Sequence, residues 1–222
     1  MRKFIILAAV LGSFILSAAA QEPTTMWPYL FPEFRSGSVA IRDGGIKPYQ
    51  VNIHLRHGAL HYLDTEGLIR EADLADVEGI EVDGEQYLAV DGKIMKVVTK
   101  SERGCVVAEI LGNYDALNET GGAYGSSSST SATRRLTSID TDNQINQNHM
   151  LLMQSRSDGN MLGLVTTYYL VWPGASVKAV RSNVEKAIPE ERSAEWKSWF
   201  KSHKIKWKQP ESLIDLLDFF NP

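Results

Sequence analysis

The sequence contains a single cysteine, Cys105, in 222 residues. One cysteine excludes an intramolecular disulfide, so the apolar core and the hydrogen bonds must hold the fold together. Cys105 lies in the run Gly104–Ala108, which is typical of a buried strand, and free cysteine is among the most buried residue types. No adjacent base would activate a nucleophile there. We therefore expect a thiol in the core.

Catalytic sequence motifs are also absent. The chain has no Gly-x-Ser-x-Gly elbow, His-Glu-x-x-His helix, phosphate-binding glycine loop or dinucleotide fingerprint. Asp140–Gln144 resembles the start of a calcium loop, but Ile145 and Leu151 replace the required glycine and glutamate. A catalytic set assembled from distant residues stays open, because such sets are recognised by geometry. We name no catalytic, cofactor-binding or metal-binding residue and expect no cofactor.

No apolar run in the chain reaches the roughly 20 residues that a membrane-spanning helix requires. The longest, Phe4–Leu16, follows Arg2 and Lys3 and leads into Ser17–Ala20. This is the pattern of a secretory signal peptide cleaved before Gln21, with an uncleaved anchor helix as the alternative. No cysteine stands at the end of this run, where a bacterial lipoprotein would carry its lipid-modified residue, so a lipoprotein is excluded. We expect a product exported to the periplasm or the cell surface.

A strong excess of positive charge is missing too. The chain has 23 Lys and Arg against 27 Asp and Glu, and without residues 1–20 the balance is 21 against 27, a net charge of −6. A mildly acidic chain argues against a nucleic-acid or anionic-membrane partner, both of which favour a basic surface. We expect neither a nucleic-acid partner nor a transmembrane segment.

Short apolar runs separated by glycine turns are abundant. Asp43-Gly44, Asp83-Gly84 and Asp91-Gly92 are three Asp-Gly steps within fifty residues. Turn signals every 8–12 residues between β-rich runs are typical of an antiparallel sheet, sandwich or barrel. The sequence predicts such a sheet from Ser38 to Leu111.

The stretch Val51–Leu63 predicts the central hairpin of this sheet. His57-Gly58 fits a two-residue type I′ turn, which would place His54 directly opposite His61. Alternation then predicts two faces. The apolar face carries Val51, Ile53, Leu55, Leu60 and Tyr62, and the face expected to meet water carries Asn52, His54, Arg56, Ala59 and His61.

Three histidines in this hairpin raise the question of a metal site. His54 and His61 are near enough across the strands to share an ion, whereas His57 lies at the turn and points elsewhere. Structural sites usually have four ligands, so we favour a solvated or stacked histidine pair. Protonation of both rings would make the hairpin acid-sensitive.

Two segments flank the sheet. Residues 21–35 contain two prolines within an aromatic cluster, which predicts an extended segment over the core or, alternatively, an exposed patch for a partner or sugar. Residues 113–148 are rich in Ser and Gly and predict a flexible loop, in which Asn118–Thr120 fits a glycosylation acceptor. Strand patterns return between Met150 and Val180.

The last forty residues predict helices. Ser182–Glu185 fits a capping box that opens a short helix to Ile188, and Pro210 fits the first position of a final helix. Two stripes at helical spacing indicate core faces rather than binding surfaces. They are Trp196, Trp199, Phe200 and His203 in the first case and Leu213, Leu216, Leu217 and Phe220 in the second.

Two groups of residues resemble uncharacterised secreted proteins of Bacteroidetes. The first runs from Phe34 to Gly44 and continues through Val51–Ile53 and Leu60–Asp64. The second comprises Tyr168–Leu170, Val184–Pro189, Trp199-Phe200, His203-Lys204 and Leu213–Leu217. The resemblance covers about half of the chain and implies a Gram-negative periplasmic or surface address. It carries over no activity and no catalytic residue.

The expectation is an α+β protein: an antiparallel, strongly curved or barrel-like sheet with short C-terminal helices. We divide it into a signal peptide (1–20), a β-rich domain (21–112), a Ser/Gly-rich loop (113–148), and a hairpin with helices (149–222). The expected function is that of a non-catalytic module that binds or scaffolds an envelope component, a protein or a polysaccharide. The alternative is a secreted hydrolase acting on envelope or host polymers. An aromatic groove would favour binding, and a pocket holding His54 or His61 with a carboxylate would favour the enzyme.

Overall fold

The computed structural model describes residues 24–25, 28–113 and 162–220. These residues form a sheet of eleven strands followed by short helices. The strands are β1 (Thr24–Thr25), β2 (Arg35–Ile41), β3 (Gly45–His54), β4 (Ala59–Leu63), β5 (Ile69–Glu71), β6 (Val77–Val82), β7 (Glu85–Val90), β8 (Lys93–Ser101), β9 (Gly104–Gly112), β10 (Leu162–Trp172) and β11 (Ala175–Lys178).

All neighbouring strands are antiparallel, in the order β1-β10-β9-β8-β7-β6-β2-β3-β4-β5, and β11 also pairs with β10. The predicted antiparallel sheet is therefore confirmed. β1 and β5 lie at the two ends of the order, and no pairing among the described residues joins them into a closed barrel. The barrel-like closure that the turns suggested is not confirmed.

Two of the predicted turns have the expected geometry. Val82 pairs with Glu85 and Val90 with Lys93, which leaves Asp83-Gly84 and Asp91-Gly92 as two-residue loops. All four loop residues have positive φ, between 49° and 77°. This is the type I′ conformation, which matches the twist of the flanking strands. The Asp-Gly steps thus set the register of β6, β7 and β8.

The central hairpin has a different register from the predicted one. His54 pairs with Ala59 and Asn52 with His61, so the loop has four residues, Leu55–Gly58. A shift of two residues keeps every side chain on its predicted face. The tertiary structure explains the longer loop: the Leu55 side chain is fully buried, and its backbone bonds to Pro28 and Gly112 instead of to β4.

A crossover connects β5 to β6, because β5 pairs with β4 whereas β6 pairs with β2. Residues 72–76 form this crossover. The Ala72 amide donates to the Leu60 carbonyl at 2.8 Å, and Arg42 donates to the carbonyls of Ala75 and Asp76. The crossover is thereby fixed beside the β2–β3 turn.

The C-terminal helices are α1 (Arg181–Ala187), α2 (Ser193–Ser202), α3 (Pro210–Leu213) and α4 (Leu217–Phe220), with 3₁₀ turns at Glu190–Arg192 and Ile214–Leu216. The predicted capping box is wrong. The first helix begins at Arg181, after Val180, and the Ser182 hydroxyl contacts Asn183 instead of capping the helix. The helix begins at Arg181 because the chain leaves the sheet just before it: the Ala179 amide still donates to the Tyr168 carbonyl.

The helices pack on β9 and β10. Leu213, Leu216 and Leu217 are fully buried against Val106 and Leu170, and Trp196 joins them. In the two predicted core stripes, Trp196, Leu213, Leu216 and Leu217 are therefore confirmed as core residues. Trp199 and Phe200 are half-buried, and His203 is exposed. Within the described part of the chain, no helix has both the length and the apolar character needed to cross a membrane.

Several predictions concern segments outside the described residues. These are the signal peptide at 1–20, the loop at 113–148 beyond Asn113, the Asp140–Gln144 motif, the glycosylation triplet at 118–120, and the strand pattern from Met150 to residue 161.

Candidate functional site

The polar face of the β3–β4 hairpin is partly covered by the chain segment that precedes β2. Residues 28–30 run antiparallel to the end of β3: Leu30 donates to the Ile53 carbonyl, and Leu55 donates to the Pro28 carbonyl. The predicted extended segment is thus confirmed at residues 28–30. The prediction that this face meets water holds only in part, because Asn52 is buried whereas His54, Arg56, Ala59 and His61 are half-buried. The aromatic side chains that precede β2 supply the cover.

Asn52 fixes that covering segment. Its side chain is 1% exposed, and its Oδ1 accepts a hydrogen bond from the Phe31 amide at 3.1 Å. Its Nδ2 donates to the carbonyls of Phe31 and Glu33 at 2.9 and 3.0 Å. The β2–β3 pairing begins only at Arg35 and Val51, so the backbone groups of residues 31–34 would otherwise lack strand partners. A buried amide therefore replaces the missing ladder bonds.

His54 and His61 stack on this face, with ring centroids 5.2 Å apart and planes 30° from parallel. Tyr29 packs edge-on against both rings, and its Oη lies 2.8 Å from His61 Nδ1. His61 Nε2 lies 3.4 Å from Glu71 Oε2. A carboxylate only accepts, so Nε2 carries the proton and Nδ1 accepts from the tyrosine hydroxyl. The stacked pair that we favoured is confirmed.

Burial governs the protonation of this cluster. It lowers the pKa of His61, and the nearby Glu71 carboxylate only partly opposes that effect. Burial also raises the pKa of Tyr29, with a further contribution from the Glu71 charge. The cluster is consequently neutral at His61 and Tyr29 near pH 7. A buried neutral tyrosine is a poor nucleophile, so the geometry indicates a structural hydrogen-bond chain.

Other reactive side chains do not join this cluster. His57 is exposed in the hairpin loop. Across residues 28–113 and 162–220, no three His, Cys, Asp or Glu side chains come together as a group that could hold a metal ion. Cys105 is buried in β9, as predicted, and burial raises the pKa of its thiol.

A cleft opens on the opposite, apolar face of β2–β4, beneath the crossover. Its volume is about 210 Å³. Buried aliphatic side chains of β2, β4 and β6 form its floor, namely Val39, Leu60 and Val77. The other lining residues are Ile41, Tyr49, Tyr62, Ala72, Asp73, Asp76 and also Glu71, whose carboxylate lies on the histidine face beside His61.

Two tyrosines and two carboxylates give this cleft its chemistry. Tyr49 and Tyr62 are half-buried, with ring centroids 5.2 Å apart and planes at 63°. Asp73 and Asp76 are exposed at the rim, and one Asp73 oxygen accepts from the Ala75 amide at 2.9 Å. The rings offer apolar surface, and the carboxylates accept hydrogen bonds. Such a cleft suits a ligand with apolar faces and hydroxyl or ammonium donors.

Sequence reasoning missed this cleft. The hairpin pattern placed Tyr62 on the apolar face, where a tyrosine is normally interpreted as a core residue. The pattern assigned no role to Tyr49. The signal was the presence of two tyrosines among aliphatic residues on one face, since a tyrosine hydroxyl needs a polar partner or water. Asp73 and Asp76 join the cleft only because the crossover returns to β2.

Comparison of the chain with protein-family models, with curated proteins and with solved structures finds no match.

Proposed function

We propose that this protein is an exported, non-catalytic binding module of the periplasm or cell surface, and that its cleft holds a neutral polysaccharide of the envelope. One observation carries the proposal: Tyr49 and Tyr62 lie over an apolar floor while Asp73 and Asp76 line the rim. The pattern of residues 1–20 and the resemblance to secreted Bacteroidetes proteins support the address.

The ligand class follows from the chemistry of the lining. Sugar rings have apolar C–H faces that pack on aromatic rings, and their hydroxyls donate to carboxylates. Two rim carboxylates would repel an acidic polymer, which favours a neutral one. The volume of about 210 Å³ is below the roughly 300–1,000 Å³ of drug-sized sites, so one ring of a chain would occupy it.

The proposal also includes a strongly curved sheet. The hairpin loop after β3 bonds to two distant strands: Ile94 donates to the Gly58 carbonyl and Gly112 to the Leu55 carbonyl, both at 2.8 Å. Contacts between the loop and β8 and β9 support a sheet that bends around its apolar face. Such a bend would hold the cleft residues of β2–β4 rigidly.

The secreted hydrolase has one observation in its favour, the chain Tyr29–His61–Glu71. It resembles the hydroxyl–imidazole–carboxylate order of a nucleophilic site. Tyr29 is only 4% exposed, however, and burial raises its pKa, which opposes formation of a phenolate. We therefore rank binding above hydrolysis.

Affinity electrophoresis of the chain beginning at Gln21 tests the proposal. Gels containing mannan, dextran or a β-glucan should retard the wild type, and Tyr62→Ala should remove the retardation. Truncating a central aromatic anchor typically weakens binding by tenfold or more. Tyr62→Phe, which keeps the ring, should retain most of it.

The unfolding midpoint in urea shows whether each variant is folded. Retardation that survives in a folded Tyr62→Ala variant would contradict the proposal. So would a wild type that ignores every neutral polysaccharide but binds a lysine-rich peptide, because a cationic partner would then occupy the cleft. Release of reducing ends from any polymer would instead support the hydrolase.

A further inference from the structure

We propose that the C-terminal helical region binds the surface of an anionic phospholipid bilayer through five lysines. These lysines, which we call the basic ridge, are Lys197, Lys201, Lys204, Lys206 and Lys208. The proposal is independent of the cleft and of its ligand.

The basic ridge is a local reversal of the charge of the chain. No Asp or Glu occurs between Glu195 and Glu211, so the five lysines are the only charged residues in that interval apart from any charge on His203. The chain after residue 20 has a net charge of −6. This separation of charge would orient the molecule with the basic ridge toward an anionic surface.

The local structure exposes the lysines in both parts of the basic ridge. Lys197 and Lys201 are four residues apart in α2, and neighbours at that spacing share one helix face. Beyond the helix, half-buried Ile205 and Trp207 alternate with exposed Lys204, Lys206 and Lys208. The apolar side of this segment packs on the core, which leaves its lysine side in solvent.

The basic ridge is not neutralised by its own fold. All five lysines are exposed, and within residues 28–113 and 162–220 none of them forms an ion pair. The arginines nearby behave differently: Arg192 pairs with Glu195 and Arg181 with Glu185. The lysine charges therefore stay available to an external partner.

The side-chain chemistry favours a bilayer over other polyanions. Arginine recognises phosphate or carboxylate by paired hydrogen bonds, and residues 193–222 contain none, whereas lysine acts as a hydrated point charge. A cluster of exposed lysines that face an anionic headgroup region is the pattern of electrostatic peripheral membrane attachment.

Vesicle co-sedimentation tests the proposal with the chain beginning at Gln21, because residues 4–16 would themselves enter a bilayer. The wild type should bind vesicles of phosphatidylglycerol and phosphatidylcholine, but not of phosphatidylcholine alone, and 0.5 M salt should release it. Each lysine near an anionic surface strengthens binding about fivefold. The triple variant Lys204→Gln, Lys206→Gln, Lys208→Gln should therefore bind roughly 100-fold more weakly.

A matched control removes three exposed lysines outside the C-terminal helices, with Lys47→Gln, Lys100→Gln and Lys178→Gln. It has the same net charge and should bind like the wild type. Equal weakening in both triple variants, or equal binding to neutral vesicles, would overturn the proposal. Tighter binding to heparin or duplex DNA than to the anionic vesicles would also overturn it and make a soluble polyanion the partner.

Discussion

The two ends of the sheet both present aromatic side chains next to charge, but the sign of the charge is opposite. At the β2–β5 end, Tyr49 and Tyr62 accompany the carboxylates of Asp73 and Asp76. At the helix-covered end, tryptophans accompany the basic ridge. A net charge of −4 for the whole chain describes neither surface. The distribution of charge over the fold, rather than its sum, therefore decides which partners each end suits.

The interiors of the two ends differ as well. The helix-covered end is held mainly by apolar burial, with Leu213, Leu216 and Leu217 fully buried and with Trp196 and Phe219 packed beside them. The β2–β5 end contains a buried amide, Asn52, and a stacked histidine pair. Substitutions at the helix-covered end should therefore destabilise the protein mainly by leaving cavities. Substitutions at the β2–β5 end should act mainly through lost hydrogen bonds or through the pH dependence of stability.

The largest effect is expected at the aliphatic end. Leu216→Ala removes a fully buried side chain from the contact between the helices and β10, and should lower the free energy of unfolding by about 3 kcal/mol. Leu68→Ala is the control, because Leu68 is half-exposed. Urea unfolding measures both. A loss below about 1 kcal/mol for Leu216→Ala would show that the helices add little to the fold.

A smaller loss is expected at Asn52. Asn52→Leu leaves the amide of Phe31 and the carbonyls of Phe31 and Glu33 without side-chain partners, which should cost about 2 kcal/mol in urea unfolding. Gln50→Ala removes an exposed hydrogen bond to Ser36 and should change stability little. If the two variants were equally stable, the amide would not be what holds the covering segment.

The smallest effect is a pH dependence from His61. Burial lowers its pKa in the folded state, so below the ordinary histidine pKa the unfolded chain binds more protons and stability falls as the pH falls. The wild type should lose more stability than His61→Gln between pH 7 and pH 5.

His57→Gln is the control for that pH dependence, since His57 is exposed at the hairpin loop. It should keep the wild-type difference between the two pH values. Parallel curves for the wild type and His61→Gln would instead mean that Glu71, 3.4 Å away, stabilises the protonated ring as fully as water does.

Local sequence signals predicted some elements accurately and failed on others for a common reason. Asp83-Gly84 and Asp91-Gly92 adopt positive φ through their own preferences, so those hairpins were predictable. His57-Gly58 carries a similar signal, but burial of Leu55 lengthens that loop. The basic ridge is visible in the sequence as five lysines with no Asp or Glu between them. It was not predicted, because the net charge of the whole chain is negative and the neighbouring aromatic residues were interpreted as a core stripe.

The sequence by itself determined the antiparallel hairpins, the face on which each strand residue lies, and the aliphatic stripes of the last helices. These depend on φ preferences and on periods of 2 and 3.6 residues, which act within one element. Only the tertiary structure decided the register of β3 and β4, the covering of the histidine face, and the cleft beneath the crossover. Each of these brings together groups far apart in the chain, such as Asn52 and Phe31, which share a hydrogen bond, or Tyr62 and Asp76, which line the same cleft, and no local preference specifies such an arrangement.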